Sequence, residues 1–355
     1  MCYKIEVQNK NAEKLNRKLD ELNAPQFLRD YLNELESKNG ALNYLVAIKD
    51  FLQWLIENNI INKKSISGIE VSDFSDLRPQ NISSYLRYKE TNGMSPTTTE
   101  TRKNIIKSFI KNVYSYRECL LRELYNSMEE FSKQIKYKGI SSKNNLTQKL
   151  PTENQLNDME EKIMWKKDEC VRNRNIAIFR VLRGTGIRES ELAGLDLSDL
   201  HLDENSECID LNDMSHIMVL PKGYQRETEK RPVYLTGSAL KALREWLEYR
   251  NTLNNIVDKE AVFVNKNGTR TTERNIKQIF ENYGNGITPH MMRHYYASIM
   301  NRNGNLAFVQ QQLGHSSVNT TVNNYANGAV GMKEKLMEMW LWLNILERKS
   351  EPKRE

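Results

Sequence analysis

The sequence predicts an α+β protein, mostly helical, in which an all-α domain precedes a mixed domain with a small antiparallel β-sheet and a C-terminal helix. Three observations predict it. Apolar residues recur at three- and four-residue steps from Pro25 to about Tyr125, the period of helices that bury one face. A block rich in Lys, Ser and Asn then interrupts that pattern. Beyond it the short runs ECIDL, HIMVLP and RPVYLT lie among further helical segments, and each is strand-like.

Taken in order, residues 1–23 read as a polar lead-in with no assigned order. Residues 24–125 form the all-α domain. FLRDYLNELE and ALNYLVAIKDFLQWLIEN are its first two helices, with Leu45, Ile48, Phe51, Leu52 and Leu55 on one face of the second and Asn39-Gly40 as the break between them. A third helix fits LRPQNISSYLRYKE, with Pro79 near its start. A fourth begins at Ser95-Pro96, a capping serine followed by a proline suited to the first helical position. Residues 126–150 lose the periodicity and read as a basic interdomain linker. In residues 151–330, Thr152 caps a helix, RNRNIAIFRVLRGTG is a buried helix ending in glycines, and RESELAGL starts another. HIMVLP and RPVYLT, joined by KGYQRETEK, make a β-hairpin. Helices follow at GSALKALREWLEYRN, TTERNIKQIFENYG, HMMRHYYASIMNRN and NLAFVQQQLGH. Residues 331–355 hold an amphipathic tail helix, MKEKLMEMWLWLNILERK.

The chain has 355 residues, of which 39% are hydrophobic and 28% charged, enough for two domains with a sizeable core. No apolar run reaches the roughly 20 residues that span a bilayer. The polar start, MCYKIEVQNKNAEK, lacks the apolar centre of a signal peptide, so a cytoplasmic protein without membrane contact is expected. Cys2, Cys119, Cys170 and Cys208 are scattered, with no CxxC pair, and read as reduced thiols rather than a disulfide framework or zinc site. The formal net charge is +6. From Phe131 to Leu150 there are five lysines, Lys133, Lys136, Lys138, Lys143 and Lys149, and no acid, a stretch able to neutralise phosphates along a duplex.

The chemistry concentrates between Ile287 and Tyr325, in ITPHMMRHYYASIM and LGHSSVNTTVNNYAN. These place His290, Arg293, His315 and Tyr325 close in sequence. Arg188 in GTGIRESEL and Lys222 in LPKGYQRETEKRPVYL lie upstream. Two arginines, a lysine and two histidines can hold one phosphate, and a tyrosine can attack it. His290 and Arg293, three apart on a helix, should project from one face. Thr288-Pro289 fits a helix start, where free N–H groups favour a phosphate. Arg188 follows a Gly-Thr-Gly turn, and its planar fork can grip two phosphate oxygens. Taken singly, each residue has a plain structural reading: an exposed arginine, a solvated helix face, an idle hairpin lysine, a packing tyrosine. Their order and co-occurrence in one domain carry the functional one.

GTGIRESEL, PHMMRH and LGHSSVNTTVNNY resemble the signature boxes of the tyrosine recombinase, or phage-integrase-like, family, and Lys222 resembles that family's β-hairpin lysine. The resemblance runs from about residue 25 to 330. It implies a SAM-like core-binding domain for the first half and a catalytic domain for the second. It implies that Tyr325 attacks the scissile phosphate to give a 3′-phosphotyrosyl link and a free 5′-hydroxyl, without metal, ATP or other cofactor. Arg188, Arg293 and His315 would stabilise the charge gathering on the phosphate oxygens. Lys222 would protonate the leaving oxygen, and His290 would accept the tyrosine proton or bind phosphate. Glu191 would orient Arg188, or stand as a plain surface carboxylate. The spacing from His315 to Tyr325 is ten residues, one more than in common members.

The implied partners are double-stranded DNA with inverted core sites and further copies of the chain, assembled as a homo-tetramer through exchange of the tail carrying Leu336, Met337, Trp340, Leu341 and Leu343. Helper proteins cannot be read from the sequence. The composition, heavy in Asn, Lys and Ile, suggests a low-GC bacterial source, with the protein associated with the nucleoid and serving integration and excision of a mobile element. Alternatives are a Xer-type recombinase that resolves chromosomes or plasmids, a non-catalytic DNA-binding accessory protein, and a type IB topoisomerase. A zinc hydrolase built on the H-x3-H pair His290–His294 lacks the adjacent glutamate and a third ligand. His294 is expected to pack or hydrogen-bond behind the site.

Overall fold

A computed structural model describes residues 3–115, 133–135, 137, 150–202, 215–221, 227–235, 237–302 and 312–313. The chain forms two compact units, Met1–Thr147 and Gln148–Glu355.

The first unit opens on α1 (Tyr3–Glu21). The lead-in expected over residues 1–23 is therefore a helix over most of its length. Polar as it is, it carries Leu15 and Leu19 one turn apart, both fully buried, and this stripe packs on α3. Arg29 ties off its C-terminal end, donating through Nη2 to the Leu19 carbonyl at 3.0 Å and through Nε to that of Ala24 at 2.9 Å. Then come α2 (Gln26–Glu34) and α3 (Lys38–Glu57). The break between them falls at Leu35–Ser37 and not at Asn39-Gly40. Ser37 caps α3 by accepting from the Gly40 N–H at 3.1 Å, so the glycine lies in the first turn, where its poor helix propensity costs little. The face Leu45, Ile48, Phe51, Leu52 and Leu55 is buried as expected.

Pro79 starts α4 (Pro79–Thr91). The hydroxyl of Ser95 accepts from the Thr98 N–H at 3.3 Å ahead of α5 (Pro96–Ser115). Phe27, Phe74 and Phe109 meet at the centre, with ring centroids 5.8 to 6.2 Å apart. Ile135 and Tyr137, from the stretch read as linker, join this core, and Lys103 donates to the Tyr137 carbonyl at 3.2 Å. That part of 126–150 is thus built into the first unit, because two apolar side chains spaced by two residues have a surface to bury.

In the second unit, Thr152 caps α6 (Glu153–Met164) through a reciprocal pair with Gln155. The buried helix α7 (Glu169–Thr185) ends at Gly186, whose φ of 63° lies in the left-handed region. A short α8 (Glu189–Ala193) follows. Strands β1 (Leu200–His201), β2 (His216–Val219) and β3 (Arg231–Tyr234) form an antiparallel sheet in that order. The expected hairpin is β2–β3, in register His216↔Tyr234 to Val219↔Arg231. ECIDL lies outside the described residues. Helix α9 (Gly237–Asn251) packs along α7, with Trp246 fully buried and its indole N–H donating to the Val262 carbonyl at 2.9 Å. Helices α10 (Glu273–Tyr283) and α11 (Pro289–Arg302) follow, the latter packed on α7. Thr288 caps α11, accepting from the Met291 N–H at 3.2 Å. Of the segment NLAFVQQQLGH only Gln312 and Leu313 are described, and the tail helix lies outside the described residues. No described helix is long and apolar enough to cross a membrane.

Candidate active site

Three buried or half-buried arginines converge where α7, β3 and α11 meet. The turn after α7 positions the first. Gly186 takes the left-handed conformation, and a Cβ there would lie 2.6 Å from the Tyr296 ring and 2.9 Å from Leu313. Only glycine lets these elements close. Two residues on, Arg188 is the N-cap of α8. Its main-chain N–H donates to Glu191 Oε2 at 2.9 Å, and its guanidinium reaches Glu191 Oε1 at 3.2 Å. The side chain of Glu191 is 0% exposed, whereas that of Arg188 is 28% exposed. Glu191 is therefore a buried orienting group and not a surface carboxylate.

Arg293, on α11, is buried. Its Nη1 donates to the Gly186 carbonyl at 2.9 Å and its Nη2 to that of Leu313 at 2.6 Å. One side chain thus joins the turn before Arg188 to the chain two residues before His315. Burial first, and the charge of Arg188 next, pull its guanidinium down to about 10, still charged at neutral pH. Arg231, at the start of β3, completes the group. It donates to Glu191 Oε2 at 3.3 Å and to the Gln312 carbonyl. Burial lowers its pKa as well. Among the described residues, Arg188 and Arg231 thus pair with the buried Glu191 carboxylate, and Arg293 lies within reach of its charge. The neighbouring Glu189 is engaged by Lys277 at 3.5 Å. A buried excess of positive charge is costly unless an anion enters.

His290 departs from expectation. It is exposed while Arg293 is buried, so the two do not present one accessible face. At about 100° per residue, a three-residue step leaves about 60° between side chains and a four-residue step about 40°. The partner of His290 is accordingly His294, with Nε2 to Nε2 3.0 Å and the rings edge to face. His294 is exposed and bonded to His290, not tucked behind the site. Partial desolvation, then the charges of His290 and Arg293, hold it below the usual imidazole range. Among the described residues no three His, Cys, Asp or Glu side chains converge as metal ligands would.

Lys222, His315 and Tyr325 lie outside the described residues, as do Lys136, Lys138, Lys143 and Lys149; Lys133 is exposed. Of the predicted constellation, the structure brings together Arg188, Glu191 and Arg293, with His290 one helical turn before Arg293. Sequence reasoning missed Arg231 and Gln312. A signal existed for the first. Arg231 and Val233 are two apart in a strand and share a face, and Val233 is fully buried, so a charge stands where the alternation calls for an apolar residue. Gln312 had none: its amide pairs with the Tyr234 main chain, donating to the carbonyl at 3.0 Å and accepting from the N–H at 3.4 Å.

Comparison with known proteins places this arrangement. Residues 152–331 match the phage integrase family. The tyrosine recombinase XerC of Neisseria gonorrhoeae is 37% identical over 155 residues, 42% of this chain and 45% of that protein, so the match spans just under half of its length. XerC of Leptospira interrogans serovar copenhageni is 27% identical over 311 residues, 84% of this chain and 90% of that protein. Among solved structures, a lambda integrase dimer bound to a core site shares the fold with a TM-score of 0.54 at 15% identity, covering 82% of this chain and 94% of that one. XerH recombinase bound to its difH substrate gives 0.52 at 22%, covering 80% and 76%. With the matched model extending over half of the sequence and enclosing the arginine cluster, the chain belongs to the phage integrase family, the tyrosine recombinases.

Proposed function

We propose that this chain is a site-specific DNA recombinase that cuts and rejoins strands through a 3′-phosphotyrosyl intermediate, for integration and excision of a mobile element. The observation that carries the reading is the cluster in which, among the described residues, Arg188 and Arg231 pair with the buried Glu191 carboxylate while the buried Arg293, close to both Arg188 and Arg231, bonds only main-chain carbonyls. A phosphodiester bearing one negative charge offsets the excess of positive charge, and the pentavalent transition state, which gathers further charge on its non-bridging oxygens, offsets it better. Arg293 keeps donors for this purpose, since each terminal nitrogen that bonds a carbonyl carries a second hydrogen.

In the reaction, the Tyr325 oxygen bonds to phosphorus as the bond to the 5′-oxygen breaks. His290 accepts the tyrosine proton, Lys222 protonates the leaving 5′-oxygen, and Arg188, Arg293 and His315 hold the non-bridging oxygens. The phosphotyrosyl link retains the energy of the broken ester, so the strand is rejoined without ATP, metal or other cofactor. The substrate is double-stranded DNA with inverted core sites, held by four copies of the chain that exchange their tails. The site of action is the bacterial nucleoid. Lys133, Lys136, Lys138, Lys143 and Lys149 contribute sequence-independent phosphate contacts.

A suicide substrate, nicked so that the cleaved strand diffuses away, tests the chemistry. The wild type should accumulate a covalent protein–DNA complex and Tyr325→Phe none. Binding without any covalent product would instead establish a non-catalytic accessory protein. A second reading, a Xer-type recombinase that resolves chromosomes or plasmids, is favoured by the extent of the match to the Leptospira protein. Sequencing the joined ends distinguishes the two: an excised circle supports the mobile-element role, and dimer-to-monomer conversion the resolving one.

A further inference from the structure

Arg231 has no step of its own in the proposed reaction, yet it is held more closely than a surface residue could be. Its side chain is 14% exposed. It stands at the start of β3, opposite Val219. One terminal nitrogen reaches Glu191 Oε2 at 3.3 Å and the other the Gln312 carbonyl, while its Nε is buried with no hydrogen-bond partner among the described residues. Burying a guanidinium on an inward strand position costs free energy that an apolar residue would not. The position therefore calls for a purpose beyond packing.

Glu191 supplies it. Its two oxygens receive three donors: the Arg188 main chain and Arg231 on Oε2, and the Arg188 guanidinium on Oε1. With Arg231 present, the buried carboxylate is balanced from two sides, and Arg188 commits only one terminal nitrogen and stays 28% exposed. Without Arg231, Glu191 would depend on Arg188 alone. The guanidinium would then turn into a bidentate pair, the geometry carboxylate and arginine favour, and withdraw its fork from the phosphate. The Gln312 carbonyl would lose its donor at the same time. Gln312 is also fastened to β3 by its own side chain. The Leu235 N–H bonds across the sheet to the Ser215 carbonyl, so the N–H and C=O of Tyr234 face the open edge, where the Gln312 amide takes both. Arg231 and Tyr234 thus moor one short piece of chain to the same strand that balances Glu191.

We propose that Arg231 is a positioning residue of the recombination centre: by sharing Glu191 and docking the Gln312 carbonyl, it keeps the Arg188 guanidinium available to the scissile phosphate. The inference rests on the proposed recombinase reading. It is tested on the full chain by single-turnover formation of the covalent complex on a suicide substrate, with Arg231→Met, Arg231→Lys, Glu191→Gln and the double variant R231M/E191Q. Arg231→Met should slow cleavage by the folded protein about 100-fold, the scale of a misplaced catalytic group, a loss larger than any fall in the folded fraction read from thermal unfolding accounts for. Arg231→Lys, which keeps the charge, should recover a substantial part of the rate. In the Glu191→Gln background, where no carboxylate needs balancing, Arg231→Met should cost less than about tenfold, as expected for coupled sites. Losses that multiply in the double variant, a wild-type rate for Arg231→Met, or a rate loss that tracks the unfolded fraction would each overturn the inference while leaving the recombinase reading intact. No covalent complex with the wild type would overturn both.

Discussion

At the residue scale, one glycine and one arginine hold the centre together. Arg293 joins two main-chain carbonyls, those of Gly186 and Leu313. The first depends on a conformation only glycine adopts cheaply, and the space above it is filled by Tyr296 and Leu313. Gly186→Ala should therefore cost about 1–2 kcal/mol for the left-handed backbone and about 1–3 kcal/mol for crowding against the Tyr296 ring. Thermal unfolding checks the stability loss. Cleavage should fall further than the folded fraction, because the Arg293 acceptor moves with the turn. The glycine was legible in the sequence as a helix stop, through the Gly-Thr-Gly before Arg188. Its second duty, leaving room for Tyr296, depends on a residue more than a hundred positions away and could not be read there.

At the scale of elements, start signals were legible because they are local. Ser95, Thr152 and Pro79 mark helix starts by chemistry that spans only three or four residues. The break before α3 was misplaced because Asn-Gly usually marks a turn, whereas here Ser37 outcompetes it as a cap. In α1 the few leucines were hidden by the polar average of the segment. The helices of the first unit are further tied by Asp50, which accepts from the Tyr85 hydroxyl at 2.8 Å and from Lys89 at 2.7 Å, and pairs with Arg102. Burial alone would raise the Asp50 pKa, but the hydrogen bonds from Lys89 and Tyr85 and the charge of Arg102 outweigh it, and the carboxyl is held below its ordinary range. Asp50→Asn should cost about 1–3 kcal/mol at pH 7, the loss of charged hydrogen bonds at a partly buried site. A depressed carboxylate stabilises the fold fully above its unfolded pKa, about 4, and the benefit is lost as pH falls through the lower folded value. The melting-temperature gap between wild type and Asp50→Asn should accordingly close below about pH 4.

At the scale of the whole molecule, the proposed tetramer rests on the tail. Removal of residues 332–355 should reduce assembly of paired DNA sites in gel-shift experiments far more than binding to a single site. A truncated protein that assembles and recombines at the normal rate would rule the tail exchange out. What the sequence determined by itself is the class of molecule. Helical periodicity, the short strand-like runs and the boxes around Arg188, Arg293 and Tyr325 are local patterns, and each survives without knowledge of its neighbours. Only the tertiary structure decided how the centre is built: that Glu191 is buried between Arg188 and Arg231, that Arg293 joins Gly186 to Leu313, and that His290 bonds His294. The reason is electrostatic. The environment of a charge depends on what excludes water from it and what opposes it, and in this fold those groups come from helices and a strand up to about a hundred residues apart.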